Sequence, residues 1–195
     1  MTEFRAGLVS AGATADVAAF DALTAAQRSS LADYLTGEVD LTLTPPADAT
    51  WSNDGVATLG DFQWGLPAGA ATATARSSNN IPIWGTQWFS VAGIKLLEVK
   101  NSMTYTTTYN SSTGTRVTGI QSYSCRVTLD RDIFADVTST KNAAFPDVWE
   151  AESQCFVSVK RGFPSPWGVI EMSKYEALHT IRGDNMGNVV FNGWT

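Results

Sequence analysis

The sequence predicts a mainly β protein, an antiparallel β-sandwich or barrel with one long hairpin and one N-terminal helix. The first ground is alternation. Tyr123, Cys125, Val127 and Leu129 face one way while Ser122, Ser124, Arg126 and Thr128 face the other. Cys155, Val157 and Val159 alternate in the same way with Phe156, Ser158 and Lys160. A period of two marks a half-buried strand. The second ground is the turn signal Asn110-Ser111-Ser112-Thr113-Gly114 between two Thr- and Tyr-rich alternating runs. The third is composition. Apolar residues at 44% supply a core, while charged residues reach only 16%, against about 25% in an ordinary soluble protein.

Along the chain, residues 14–37 read as helix, with Phe20, Leu23, Leu31, Tyr34 and Leu35 at helical spacing. Thr24-Ala25-Ala26-Gln27 fits a capping box, which places the firm helix at Ala25 to Thr36, and Gly37 suits a left-handed cap. Val39, Leu41 and Leu43 then alternate as a short strand stopped by Pro45-Pro46. Residues 45–90 read as irregular, with Trp51, Phe62, Trp64 and Leu66 as anchors around an Asn53-Asp54-Gly55 turn. Pro67 to Asn80 has no large apolar residue and almost no charge, so it reads as a surface loop or as an arm ordered by a neighbouring subunit. Residues 91–195 read as the β core. Its strands are Val91 to Lys100, a hairpin from Met103 to Leu129 with a bulge near Gly119, and Cys155 to Lys160. Val169 to Ile181 and Asn188 to Phe191 follow, with Gly183-Asp184-Asn185 as their turn. Ile133 to Trp149 reads as a short helix or loop, and Gly162 to Gly168 as a rigid link. The three segments 1–44, 45–90 and 91–195 are expected to form one structural domain.

Charge excludes one class of function. The net charge is −6 and the densest basic stretch is the pair Lys160-Arg161, whereas gripping phosphates takes several such groups. No sequence-specific nucleic-acid binding is expected, and no membrane span, because no apolar run approaches about 18 residues. Cys125 and Cys155 both fall on inward faces. They are expected to be reduced and buried, with a disulfide between neighbouring strands as the alternative.

Site chemistry is sparse. His179, on a strand with apolar neighbours, reads as structural. There is no zinc spacing, phosphate loop or nucleophile elbow. Glu150 and Glu152 share a strand face but read as solvated surface, and Asp184-Asn185 would need Asp130 and Asp132 beside it to hold Ca²⁺. The seven tryptophans look scattered rather than gathered on one strand face, which suits packing better than a sugar platform. The chain is therefore expected to be non-enzymatic, with no catalytic, cofactor or metal residues and no cofactor.

Four stretches carry a resemblance: Val91-Ala92-Gly93-Ile94, the Thr/Tyr-rich hairpin, Gly119-Ile120-Gln121-Ser122-Tyr123-Ser124-Cys125, and Gly187-Asn188-Val189-Val190-Phe191-Asn192-Gly193-Trp194. Over the C-terminal half the chain resembles virion structural proteins of tailed bacteriophages, most nearly a tail tube protein. The resemblance implies a homo-oligomeric ring or tube joined through the hairpin, contacts with other virion proteins, and assembly in the host cytoplasm. An acidic balance would suit a lumen that lets DNA pass. The hairpin residues expected to carry self-assembly are Tyr105, Thr107, Tyr109, Thr113 and Val117. A head-decoration or connector protein, or an adhesion or carbohydrate-binding module, is the alternative.

Overall fold

The computed structural model describes residues 1–39, 43–70, 80–132, 135–165 and 168–195. Three helices come first, α1 (Thr2–Ser10), α2 (Thr14–Asp21) and α3 (Ala25–Thr36). Four short strands follow, β1 (Thr50–Trp51), β2 (Val56–Leu59), β3 (Phe62–Gly65) and β4 (Ala68–Ala70). Seven longer ones complete the chain: β5 (Asn80–Val91), β6 (Ile94–Asn110), β7 (Gly114–Asp130), β8 (Ala135–Pro146), β9 (Glu150–Ser165), β10 (Gly168–Asp184) and β11 (Val189–Trp194). All pairings among the described residues are antiparallel.

The strands make two sheets. One runs β1-β2-β3-β5-β6-β7, with β4 also paired to β5, and the other runs β11-β10-β9-β8. The second sheet folds back over the first, β8 over β7 and β11 over β5 and β4. This is a β-sandwich. Its inner faces carry the expected alternation: Ile83, Phe89 and Val91 of β5, Val99, Met103 and Tyr105 of β6, and Cys155, Val157 and Val159 of β9 are all buried.

The helices close one end of the sandwich. Thr24 Oγ1 accepts from the Gln27 amide while Gln27 Oε1 accepts from the Thr24 amide, and Gly37 ends the helix at φ 80°. Phe4 and Leu8 of α1, Phe20 of α2 and Leu31 and Tyr34 of α3 pack with Ala57, Trp64, Phe89 and Leu96 of the first sheet. A buried polar cluster fastens them. Tyr34 Oη donates to Asp132 at 2.7 Å, and Arg161 Nη2 donates to the Tyr34 carbonyl at 2.6 Å. The Arg161 guanidinium also lies 3.1 Å from Asp132 and 4.0 Å above the Tyr34 ring. Arg131 pairs with Asp16 nearby.

Several expectations are corrected. The helical reading of 14–37 splits into two helices, α2 and α3, and α1 was not anticipated at all. The segment read as irregular holds β1 to β4 and most of β5, and the expected loop after Pro67 begins with β4. Val91 ends β5 and the next strand starts at Ile94, so the runs read as two strands are one strand of 17 residues. The expected helix or loop before Trp149 is β8, whose polar, largely exposed residues form a sheet edge. The rigid link is the closing end of the β9–β10 hairpin, where Ser165 pairs with Gly168. The rest of the strand read at Val39 to Leu43, the loop from 71 to 79, Ile133 and Trp167 lie outside the described residues.

Candidate assembly surface

The hairpin that the sequence singled out is longer than expected. Strands β6 and β7 have 17 residues each, about 56 Å at 3.3 Å per residue. Register slips opposite Glu98/Val99, Thr104/Tyr105 and Thr106/Thr107 place bulges along β7, one of them beside Gly119 as read from the broken alternation. The turn follows the signal, with Asn110 opposite Gly114 and Gly114 at φ 76°.

A polar seam between the sheets holds the hairpin in place. Asn101 of β6 donates to the Ser153 and His179 carbonyls, both at 2.9 Å, and accepts from Ser153 Oγ at 2.9 Å. His179 Nε2 lies 2.7 Å from Asn192 Oδ1, and Asn192 Nδ2 donates to the Leu66 carbonyl at 3.0 Å. Burial, only partly offset by the Asn192 bond, brings the His179 imidazole down to about 4. Gly85 permits the close approach of β5, because a Cβ there would meet Asn192 and Ile181 below 3 Å. Beside the seam Cys125 of β7 is bonded to Cys155 of β9, with Cα atoms 5.3 Å apart. The expectation of two reduced thiols is thus corrected. Both side chains point into the same gap from opposite sheets, so the bond is between sheets rather than between neighbours in one sheet.

At the end away from the helices, three turns converge. The Val117 amide donates to the Val148 carbonyl at 3.0 Å, and Asn185 Nδ2 donates to the Thr115 carbonyl at 2.6 Å. Tyr105 Oη donates to the Asp184 carbonyl at 2.5 Å. This gathers the β6–β7 tip with the turns after β8 and β10. Large apolar side chains stand in solvent there: Tyr109 at 73% exposed, Met186 at 71%, Trp149 at 51%, Phe145 at 45% and Val148 at 43%. Arg116 lies 5.7 Å from the Trp149 ring centre. Clustered exposed apolar surface of this kind marks an interaction site.

The five residues expected to carry assembly fall into two groups. Tyr109 and Thr113 are exposed at the tip, on the apolar end. Tyr105, Thr107 and Val117 are buried, Tyr105 and Val117 in a second core cluster with Ile83 and Met103. The Val117 amide, placed among the expected assembly residues, is bonded within the subunit to the Val148 carbonyl. Phe145, Val148, Trp149 and Met186 escaped notice because they lie at two turns, after β8 and after β10, far in sequence from each other and from the hairpin tip.

Arg182 lies between the two acids read as free surface, 3.4 Å from Glu150 and 3.7 Å from Glu152. Asp184 accepts from the amides of Met186 and Asn188 and from the Asn188 side chain. Burial acts to raise its carboxyl, and these donors outweigh it and hold it below the usual range. Asp130 sits at the helical end, the far end of the sandwich from Asp184. Burial and then Asp132 push its carboxyl up to about 6. Among the described residues no group of three or more His, Cys, Asp or Glu gathers, and no helix is long and apolar enough to cross a membrane. Comparison with protein families, with curated proteins and with solved structures finds no match to this chain.

Proposed function

We propose that this chain is a non-enzymatic structural protein that self-assembles into a viral particle, most nearly a phage tail tube subunit lining a conduit for DNA. The observation that carries the reading is the apolar end, where Tyr109, Trp149 and Met186 stand exposed around the tip of the long hairpin. Covering it with a neighbouring copy would remove from water the surface that a lone subunit leaves wet. Each sheet also keeps two edges on opposite sides, β7 and β1 in one and β8 and β11 in the other. Such unlike edges suit head-to-tail contact, which closes into a ring when the rotation allows. The net charge of −6 suits a wall that DNA slides past. Native mass measurement with negative-stain imaging of the purified chain tests this. Rings or tubes are expected, and a monomer across the whole accessible concentration range would sink the reading.

A further inference from the structure

The outer face of the first sheet, away from the apolar end, carries a second site. Trp84 and Trp88 stand four residues apart on β5 and share that face, contrary to the scattered placement read from sequence. Each ring lies on the glycine directly across the ladder, Trp84 on Gly69 and Trp88 on Gly65. A Cβ would come within 2.9 Å of the ring at Gly69 and within 2.0 Å at Gly65. The rings are therefore packed closely against backbone, and both stay half-buried. Lys95 Nζ lies 5.1 Å from the Trp88 ring centre and is answered by Glu98 at 2.7 Å. Lys100 lies 5.1 Å from the Trp84 ring centre, but its cross-strand neighbours are Thr86 and Arg126.

Two cations directly opposite on one face of a sheet repel. Glu98 feels the Lys100 charge, but its oxygens are already engaged by Lys95 and Thr128. Beside this pair Ser102, Ser122 and Ser124 pave a pocket of about 280 Å³, rimmed by Trp84, Lys100 and Arg126. Ser102 and Ser124 hydroxyls lie 2.7 Å apart, each with capacity left for a further bond.

We propose that this pocket binds one residue of an acidic saccharide. The sugar carboxylate sits between Lys100 and Arg126 and relieves their repulsion. Its hydroxyls meet the serines, and its apolar face takes the place of the Lys100 ammonium over Trp84. The volume is just under the range of about 300–1,000 Å³ usual for small-ligand pockets, which suits a single ring. Two cations on a protein of net charge −6 are too few for a nucleic-acid track. The site shares no residue with the apolar end, although β7 borders both, so loss of sugar binding and loss of the apolar joint can be told apart.

Titration of the disulfide-intact protein with trigalacturonic acid, followed by tryptophan fluorescence and calorimetry, tests it. Binding is expected to weaken as salt rises. Arg126→Gln, at an exposed side chain, should weaken it at least about tenfold without moving the thermal midpoint, and Trp84→Ala should abolish it. Four results would each overturn the proposal: no binding at millimolar sugar, undiminished binding in Arg126→Gln, equal binding of neutral maltotriose, or equal binding of a thymidine trinucleotide.

Discussion

The Nε2 of His179 donates to Asn192 Oδ1 across 2.7 Å, because the other end of that amide is spent on the Leu66 carbonyl. Burial keeps the imidazole neutral, at about 4 against the usual 6.5, although the Asn192 bond by itself favours the charged form. The unfolded chain therefore takes up this proton first as pH falls. Stability from this group is intact above pH 6.5, declines between 6.5 and 4, and is lowest below 4. A gap of about 2.5 units corresponds to roughly 3 kcal/mol. Asp130, raised to about 6, acts in the opposite sense over part of this range. The readout is thus the difference between wild type and His179→Gln in urea midpoints from pH 7.5 to 4. The wild type should lose stability more steeply, and parallel profiles would remove the assignment.

The Cys125–Cys155 bond closes a loop of 30 residues, for which chain entropy predicts about 3–4 kcal/mol. Reducing it, or making Cys125→Ala with Cys155→Ala, should lower the unfolding free energy by that order. Thiol titration of the denatured, unreduced protein should find no free thiol. Two titratable thiols in material purified without reductant would refute the pairing.

Arg161→Met takes the guanidinium from the buried Asp132 carboxylate and from the Tyr34 ring. Breaking a buried pair on one side costs about 3–5 kcal/mol. Urea unfolding should show that loss, and adding Asp132→Leu should recover part of it. If Arg161→Met alone unfolds at the wild-type midpoint, the cluster does not fasten the helices.

Trp149→Ser with Met186→Ser should abolish assembly while shifting subunit stability by no more than about 0.5 kcal/mol per site, as for exposed positions in general. Sedimentation and thermal melts separate the two effects. Particles of unchanged size would exclude the apolar end as the joint.

Thr24→Ala removes the side-chain half of the α3 capping box, worth about 1 kcal/mol. A thermal melt should show a small downward shift with the assembly state unchanged.

Local signals were legible where one short segment holds the whole cause. Thr24, Gln27 and Gly37 place both ends of α3, and Asn110 with Gly114 places the hairpin turn. Strand β8 was hidden because an edge strand needs little apolar surface, and its register slips between Lys141 and Ala143. Phe4 and Leu8 are spaced for one helical face, but two residues are a thin signal. Alternation put Cys125 and Cys155 inside. Their pairing depends on which sheet each joins, and a period of two carries no information on that. The apolar end and the Lys100–Arg126 face arise from cross-strand and cross-turn neighbours, which only register creates.

The bond between β7 and β9 also has a mechanical consequence. Tension applied through the chain ends cannot peel the sheets apart strand by strand past Cys125. The load instead bypasses everything from there to Cys155. Those 30 residues would otherwise add about 100 Å of extension at about 3.4 Å each. A single-molecule pulling trace should be shorter by that length until reductant is added. Until then the two sheets bear force as one welded plate.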